Sequence, residues 1–451
     1  MTRRVVVTGT GIVSGIGTST DEFWRNCLDG HTVVERIPSH WTKYERFKST
    51  LWAPLPPIDY GERGISRPQR MQHDPVSLNA ILAAREAVSA AGWRSPAGGE
   101  GAGAANQPAG VYVGTGIGGS HTFLDNHLHP VCCAPKKRLS ALLEDDTLPA
   151  GHREELDAVV ELMQHPRRIN PFMASMYMPN TVAASLGIEF SMRGPNRTYC
   201  QACASGTVAV GEAFRAIKRG EVDMALAGGS EYFYDQHGYL FQAFDVAGTL
   251  AQDCDEPESA NCPFDERRSG FLFSQGASVI LALESLESAV QRGAPVLAEI
   301  TGYAESFDAH NMMAMAPGGE QIEQMIRSAV SDAGLTLERI DYINTHGTGT
   351  PSNDRIEADV LDRLFGKRPL VNATKSLVGH TIGASGAMEA AVLALSLYHQ
   401  TTHPCRSLRN PVADLNFVSS AGEFDLGSGI SQSFAFGGHN AAVVMSRFAR
   451  S

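Results

Sequence analysis

The sequence lacks any apolar run approaching the roughly 18 residues that a membrane-spanning helix needs. Cysteine is sparse, 8 in 451 residues, which excludes a disulfide framework. Positive charge is not in excess. The 37 Lys and Arg against 49 Asp and Glu leave a formal net charge of -12. That excludes bulk attraction to nucleic acid or anionic lipid, and an acidic partner would need a local basic patch. The 45 glycines have no three-residue period, so a collagen-like order is out. What is present is ordinary globular material. Apolar residues make up 43% of the chain, enough apolar surface to offset chain entropy and exclude disorder as the main state. The opening Arg3-Arg4-Val5-Val6-Val7-Thr8-Gly9 meets a glycine after three valines. It is too short for a signal-peptide core and reads as a buried first strand of a cytoplasmic protein.

Short apolar runs ending in glycine alternate with Ala-rich helical stretches. The runs are 4–8, 110–114, 223–227, 278–283, 296–301, 340–344 and 441–446; the helical stretches are 75–91, 205–219, 320–333, 354–364 and 384–399. Continuous apolar strands suit a sheet covered on both faces, and their alternation with helices predicts an α/β layered fold. Residues 94–108 are rich in Gly, Ala, Ser and Pro and read as a loop. The polar segment 120–168 reads as an insertion with a solvated charged face. Within it Leu156, Val159, Val160 and Met163 predict one amphipathic helix.

Several motifs point elsewhere and fall short. Thr10-Gly11, Gly15 and Gly17 fit the phosphate loop of short-chain dehydrogenases, and Tyr44 and Lys48 would supply their catalytic pair. That pair follows too soon for a nucleotide domain to intervene, so these glycines read as tight strand-to-helix turns. Cys200 and Cys203 form a Cys-x-x-Cys, but no second pair has metal spacing. His399 and His403 lack the Glu of a His-Glu-x-x-His helix, and no Gly-x-Ser-x-Gly elbow occurs. Neither a metal nor a cofactor is expected.

Three segments share one character. Arg197–Gly206 is a strand running straight into a helix, with Cys203 at the junction. The positive end of the helix dipole there is expected to lower the thiol pKa and favour thiolate. Asn344-Thr345-His346-Gly347-Thr348-Gly349-Thr350 brings His346 to a strand end, where α/β proteins place chemistry. Lys375-Ser376-Leu377-Val378-Gly379-His380 leads His380 into a Gly-rich helix start. A cysteine with two histidines suffices for acyl-thioester formation followed by enolate stabilisation.

On these boxes the chain resembles an elongating β-ketoacyl-acyl-carrier-protein synthase of the thiolase superfamily, including its type II polyketide members. The resemblance also covers Gly114–Gly119, Ala227-Gly228-Gly229-Ser230-Glu231, Pro263-Phe264-Asp265 and Ser433–Asn440. It implies a thiolase-like fold of two pseudo-repeated halves, 1–290 and 291–451, stacked as an α-β-α-β-α sandwich. It implies decarboxylative Claisen condensation of an acyl-Cys203 intermediate with a malonyl group, with His346 and His380 holding the enolate oxygen. By the same resemblance Lys375 is an active-site lysine with Glu357 as its acidic companion. Phe436 is a gate whose N–H joins that of Cys203 in an oxyanion hole. Thr348 and Thr350 flank the pantetheine arm, and Ile117 is a wall of the acyl pocket. The implied partners are an acyl carrier protein, docking on Arg67 and Arg70 or on Arg215, Lys218 and Arg219, and a second subunit. That subunit is another copy of the chain or a Cys-less chain-length factor. A non-condensing scaffold would need none of the Cys–His–His set. The family's Arg-Asp-Gly-Phe-x-x-Gly-Glu-Gly-Ala-Gly is replaced here by Arg268-Ser269-Gly270-Phe271-Leu272-Phe273-Ser274-Gln275-Gly276-Ala277-Ser278, close to where the pantetheine is expected to enter. This departure implies a specialised synthase.

Overall fold

The computed structural model describes residues 3–42, 46–93, 109–125 and 170–449, with positions 138, 139, 151, 152 and 155. The helix expected around Leu156–Met163, and Tyr44 of the dehydrogenase-like pair, lie outside the described residues.

Ten strands form one sheet. In chain order they are β1 (Val5–Val13), β2 (Ala109–Gly114), β3 (Asn196–Tyr199), β4 (Met224–Tyr232), β5 (Gly276–Ser285), β6 (Ala298–Phe307), β7 (Tyr342–Asn344), β8 (Leu370–Asn372), β9 (Ser428–Phe434) and β10 (His439–Ser446). The spatial order is β8-β7-β9-β10-β6-β1-β5-β4-β2-β3. Read outward from the middle, β1-β5-β4-β2-β3 and β6-β10-β9-β7-β8 follow the same path. In both runs the two inner junctions are antiparallel and the two outer ones parallel. The runs join only through Val5–Val7 of β1 against Ala298, Glu299 and Ile300 of β6. The chain is thus of the mixed α/β, thiolase-like class.

Five helices position the site: α1 (Pro75–Ala90), α2 (Ser205–Lys218), α3 (Glu320–Asp332), α4 (Pro351–Phe365) and α5 (Ser385–His399). α1 covers β1 and β5, and α3 covers β6 and β10. α2 and α5 pack on each other between the two runs of strands. The apolar pattern explains the difference. In α3 only one stripe is buried, Ile322, Met325, Ile326, Ala329 and Val330, whereas α5 is buried without a break from Ser385 to Leu397.

Of the glycines in the dehydrogenase-like motif, Gly15 and Gly17 lie in the tight turn between β1 and the helix Thr20–Leu28, as expected, whereas Gly11, like the nearby Gly9, lies within β1. A Cβ on Gly11 would stand 1.8 Å from the Ala83 carbonyl oxygen of α1. Their absent side chains let helix and strand close up. Of the other decoys, Cys200, Cys254 and Cys262 are free thiols. His399 stacks on Trp24 at 5.8 Å, while His403 is buried against Thr374 and the Pro404 carbonyl. Gly11→Ala is therefore expected to destabilise the fold by about 1–3 kcal/mol through overpacking. A fall in the thermal midpoint of the variant, with no response of either protein to NADPH, checks this.

Candidate active site

The site forms where α2 and α5 begin. Each is preceded by one 3-10 turn, Ala202–Ala204 and Ile382–Ala384, and each turn opens on a non-glycine residue at φ 46°, Ala202 and Ile382. Such left-handed residues are strained and cluster at functional sites. The two helices touch through glycines. A Cβ on Gly206 would lie 2.6 Å from the Ala387 nitrogen, and one on Gly386 would lie 2.0 Å from Thr207 Oγ1. This close approach brings Cys203 Sγ to 3.1 Å from His380 Nε2, although 177 residues separate them. His346 enters from the end of β7, with its ring centroid 5.6 Å from that of His380 and the planes at 84°. All three side chains are buried.

Hydrogen bonds fix the tautomers. His380 Nδ1 accepts from the Ile382 N–H at 3.3 Å and lies 3.0 Å from Ser385 Oγ. Lys375 Nζ donates to His346 Nδ1 at 3.2 Å and to the His346 carbonyl at 2.6 Å, and it is ion-paired with Glu389. Both imidazoles therefore carry their hydrogen on Nε2. Burial first and Lys375 second push both histidines well below the usual imidazole range, and His380 adds to the effect on His346. They are neutral donors at neutral pH. One donor atom from each of Cys203, His346 and His380 lies within 4.8 Å of the others, close enough for a metal. Their outer hydrogen bonds do not suit one, because a metal-bound imidazole donates from its far nitrogen and these accept there. The arrangement suits an oxyanion.

The sulfur departs from expectation. Burial pushes the Cys203 thiol up to about 12, against the pull of Lys375 and of the Phe436 and Cys203 N–H groups. A helix dipole lowers the pKa of a thiol that keeps its water. In the fold, loss of water outweighs it, and the resting form is the thiol.

The chain matches the family models for the beta-ketoacyl synthase N-terminal domain over residues 2–289 and C-terminal domain over residues 297–409. The chain belongs to the β-ketoacyl synthase family. It is a carbon–carbon bond-forming acyltransferase. It is 33% identical over 452 residues to the 3-oxoacyl-[acyl-carrier-protein] synthase 2 of Staphylococcus aureus strain COL, covering 99% of both chains. It is 31% identical over 453 residues to that of Coxiella burnetii, again over 99% of both. Among solved structures, the ishigamide ketosynthase/chain length factor aligns over 100% of both chains at 31% identity and a TM-score of 0.81. A type II polyketide synthase ketosynthase, solved with its acyl-carrier protein and bound to the hexaketide, aligns over 100% of both chains at 25% identity and 0.82. No helix among the described residues is long and apolar enough to cross a membrane.

A cavity of about 160 Å³ leads to the sulfur, lined in part by Thr348, Thr350, Phe434 and Phe436 with the two histidines. Phe271 and Phe434 stand edge-on to His380 and His346 at 5.1 and 5.4 Å. The loop residues Met313 and Met315 complete the mouth; nothing in their sequence pattern singled them out.

Other expectations need correction. The acidic partner of Lys375 is Glu389, one turn into α5, and not Glu357. Glu357 is fully buried and accepts from the His346 and Gly347 N–H groups at 2.7 and 2.8 Å and from Gln432 at 2.7 Å. It holds the His346 loop and does not line the cavity. Ile117 packs against the core cluster that contains Cys203, and its N–H donates to Glu231 at 3.3 Å. Arg67 and Arg70 are exposed on the short helix Arg67–Gln72. Arg215, Lys218 and Arg219 are matched by acids instead. Arg215 meets Glu212 and Glu305, Lys218 meets Asp332, and Arg219 lies near Glu221. Of the departing residues, Gln275 accepts from the Leu55 N–H at 3.0 Å and Ser269 from the Gln252 N–H at 3.0 Å, while Phe271 of the same stretch lines the cavity.

A thiol raised by burial has a consequence in solution. Alkylation of Cys203 by iodoacetamide is expected to keep accelerating as pH rises through 9, about tenfold per unit, because thiolate is the reactive form. A plateau near pH 7, followed by mass spectrometry, would show that the helix dipole and the N–H donors prevail.

Proposed function

We propose that this protein is a β-ketoacyl-acyl-carrier-protein synthase of fatty acid or polyketide biosynthesis, with Cys203, His346 and His380 as its catalytic residues. The observation that carries the assignment is a buried sulfur 3.1 Å from one Nε2–H, with a second neutral imidazole held by Lys375 beside it.

The Cys203 sulfur attacks the thioester of a carrier-bound acyl group. The new S–C bond forms as the C–S bond to the carrier breaks, and the thiol proton passes to the departing pantetheine sulfur. The Cys203 and Phe436 N–H groups, which already face the sulfur, support the oxyanion. A malonyl thioester then enters and loses CO2. The resulting enolate oxygen accepts from the Nε2–H of both histidines, a contribution of about 3 kcal/mol per donor in a dry site. The enolate carbon attacks the acyl carbonyl, the C–C bond forms as the C–S bond to Cys203 breaks, and the departing sulfur takes a proton from water. Lys375 acts as a positioning residue. It fixes the His346 tautomer while Glu389 balances its charge.

The halves 1–290 and 291–451 divide the labour, Cys203 from the first and both histidines from the second. Thr348 and Thr350, whose hydroxyls lie 2.9 Å apart at the cavity wall, flank the pantetheine. Arg67 and Arg70 are the docking cations for an acidic carrier. Ile117 lies deeper along the acyl path. The enzyme works as a homodimer or beside a chain-length factor, as in the ishigamide ketosynthase/chain length factor. Native mass spectrometry of the active chain purified alone decides between them.

Intact-protein mass spectrometry against a panel of acyl-carrier proteins tests the assignment. Cys203→Ala is expected to fold and to carry no acyl adduct. His346→Ala and His380→Ala are expected to acylate yet condense at least a hundredfold more slowly, in keeping with the loss of one oxyanion donor. Full acylation of Cys203→Ala, or normal turnover in both histidine variants, would sink the proposal.

A further inference from the structure

A second cavity, of about 360 Å³, opens between the proline-rich stretch 54–57 and the end of β4. Trp52, Tyr60, Tyr232 and Tyr234 supply its aromatic walls, and no charged side chain among the described residues lines it. The rings of Trp52 and Tyr234 lie 6.4 Å apart and tilted by 35°.

Its polar atoms are what mark it as a built site. Asn79 is fully buried, and its Oδ1 accepts from Tyr60 Oη at 2.9 Å, but its Nδ2 has no partner. Gln275 Oε1 accepts from the Leu55 N–H at 3.0 Å, and Gln275 Nε2 donates to Tyr232 Oη at 3.3 Å. With that oxygen already accepting, the Tyr232 O–H remains a donor. The cavity thus offers two donors, one deeply buried, among uncharged aromatic walls. A buried donor left unmet is costly, so an occupant that supplies an acceptor is favoured.

We propose that this cavity binds a neutral aromatic molecule through a carbonyl oxygen, which accepts from Asn79 Nδ2 and the Tyr232 O–H while the ring packs on Trp52 and Tyr234. An anion would find no cation in the lining. Gln275 gives an independent reason. It occupies the position where the resembled motif has Glu. A carboxylate there would accept the Tyr232 O–H, consume that donor and place a charge beside the walls. The departure to Gln is what leaves the site open to a neutral ligand. The site is separate from the cavity at Cys203, since the two share no lining residue.

Saturation-transfer NMR on the full chain, with Cys203 first alkylated to block the catalytic cavity, tests this with acetophenone as probe. Acetophenone is expected to show transfer, and ethylbenzene, of like shape but without the oxygen, to bind about tenfold more weakly. Asn79→Leu and Gln275→Glu are each expected to weaken acetophenone about tenfold while the unalkylated variants keep their condensing activity. Should Asn79→Leu fail to fold, Gln275→Glu decides, because it retains the acceptor for Leu55. Absence of transfer, its loss on alkylating Cys203, equal binding of ethylbenzene, or unchanged binding to Gln275→Glu would each overturn the proposal.

Discussion

The structure depends on the contact between the first turns of α2 and α5. Where they meet, the missing side chains of Gly206 and Gly386 leave room for Ala387 and Thr207 of the opposite helix. The approach aligns two strained 3-10 turns, and with them Cys203 and the His380 loop. A helix pair held at ordinary separation by larger residues would leave the sulfur and the imidazole too far apart for a hydrogen bond. The twofold repetition of sheet order on either side supplies the matching platforms from which these helices start.

Around that contact the protein buries charge with its partners supplied. Glu231, Glu357 and Glu389 are each pushed up to about 7 by burial. Glu231 gathers the N–H groups of Gly116, Ile117 and Gly383, joining the loop after β2 to the turn before α5. Glu357 gathers those of His346 and Gly347. Glu389 neutralises Lys375, which in turn sets the His346 tautomer. These carboxylates hold loops in place, and through those loops they fix the positions of Cys203, His346 and His380.

Much of the fold was legible because its elements are strongly patterned. The helices expected at 205–219, 320–333 and 384–399 are observed at Ser205–Lys218, Glu320–Asp332 and Ser385–His399. β8 and β9 were not anticipated. β8 has three residues, too few for a period, and β9 carries Ser431, Gln432 and Ser433, all buried, where an apolar run was sought. The internal repeat left one trace, Ala-Ser-Gly at 204–206 and again at 384–386. Three residues are weak testimony until the strand order is known.

Residue chemistry and local spacing singled out the candidate set, a cysteine at a helix start and two histidines in Gly-rich loops, and only the three boxes together carried the resemblance. The tertiary structure alone decided which carboxylate meets Lys375, that the sulfur rests as a buried thiol, and that Gln275 belongs to a separate cavity. Each of those depends on distances between groups far apart in the chain. Such distances are set by sheet register and by how closely helices pack, and local periodicity carries neither.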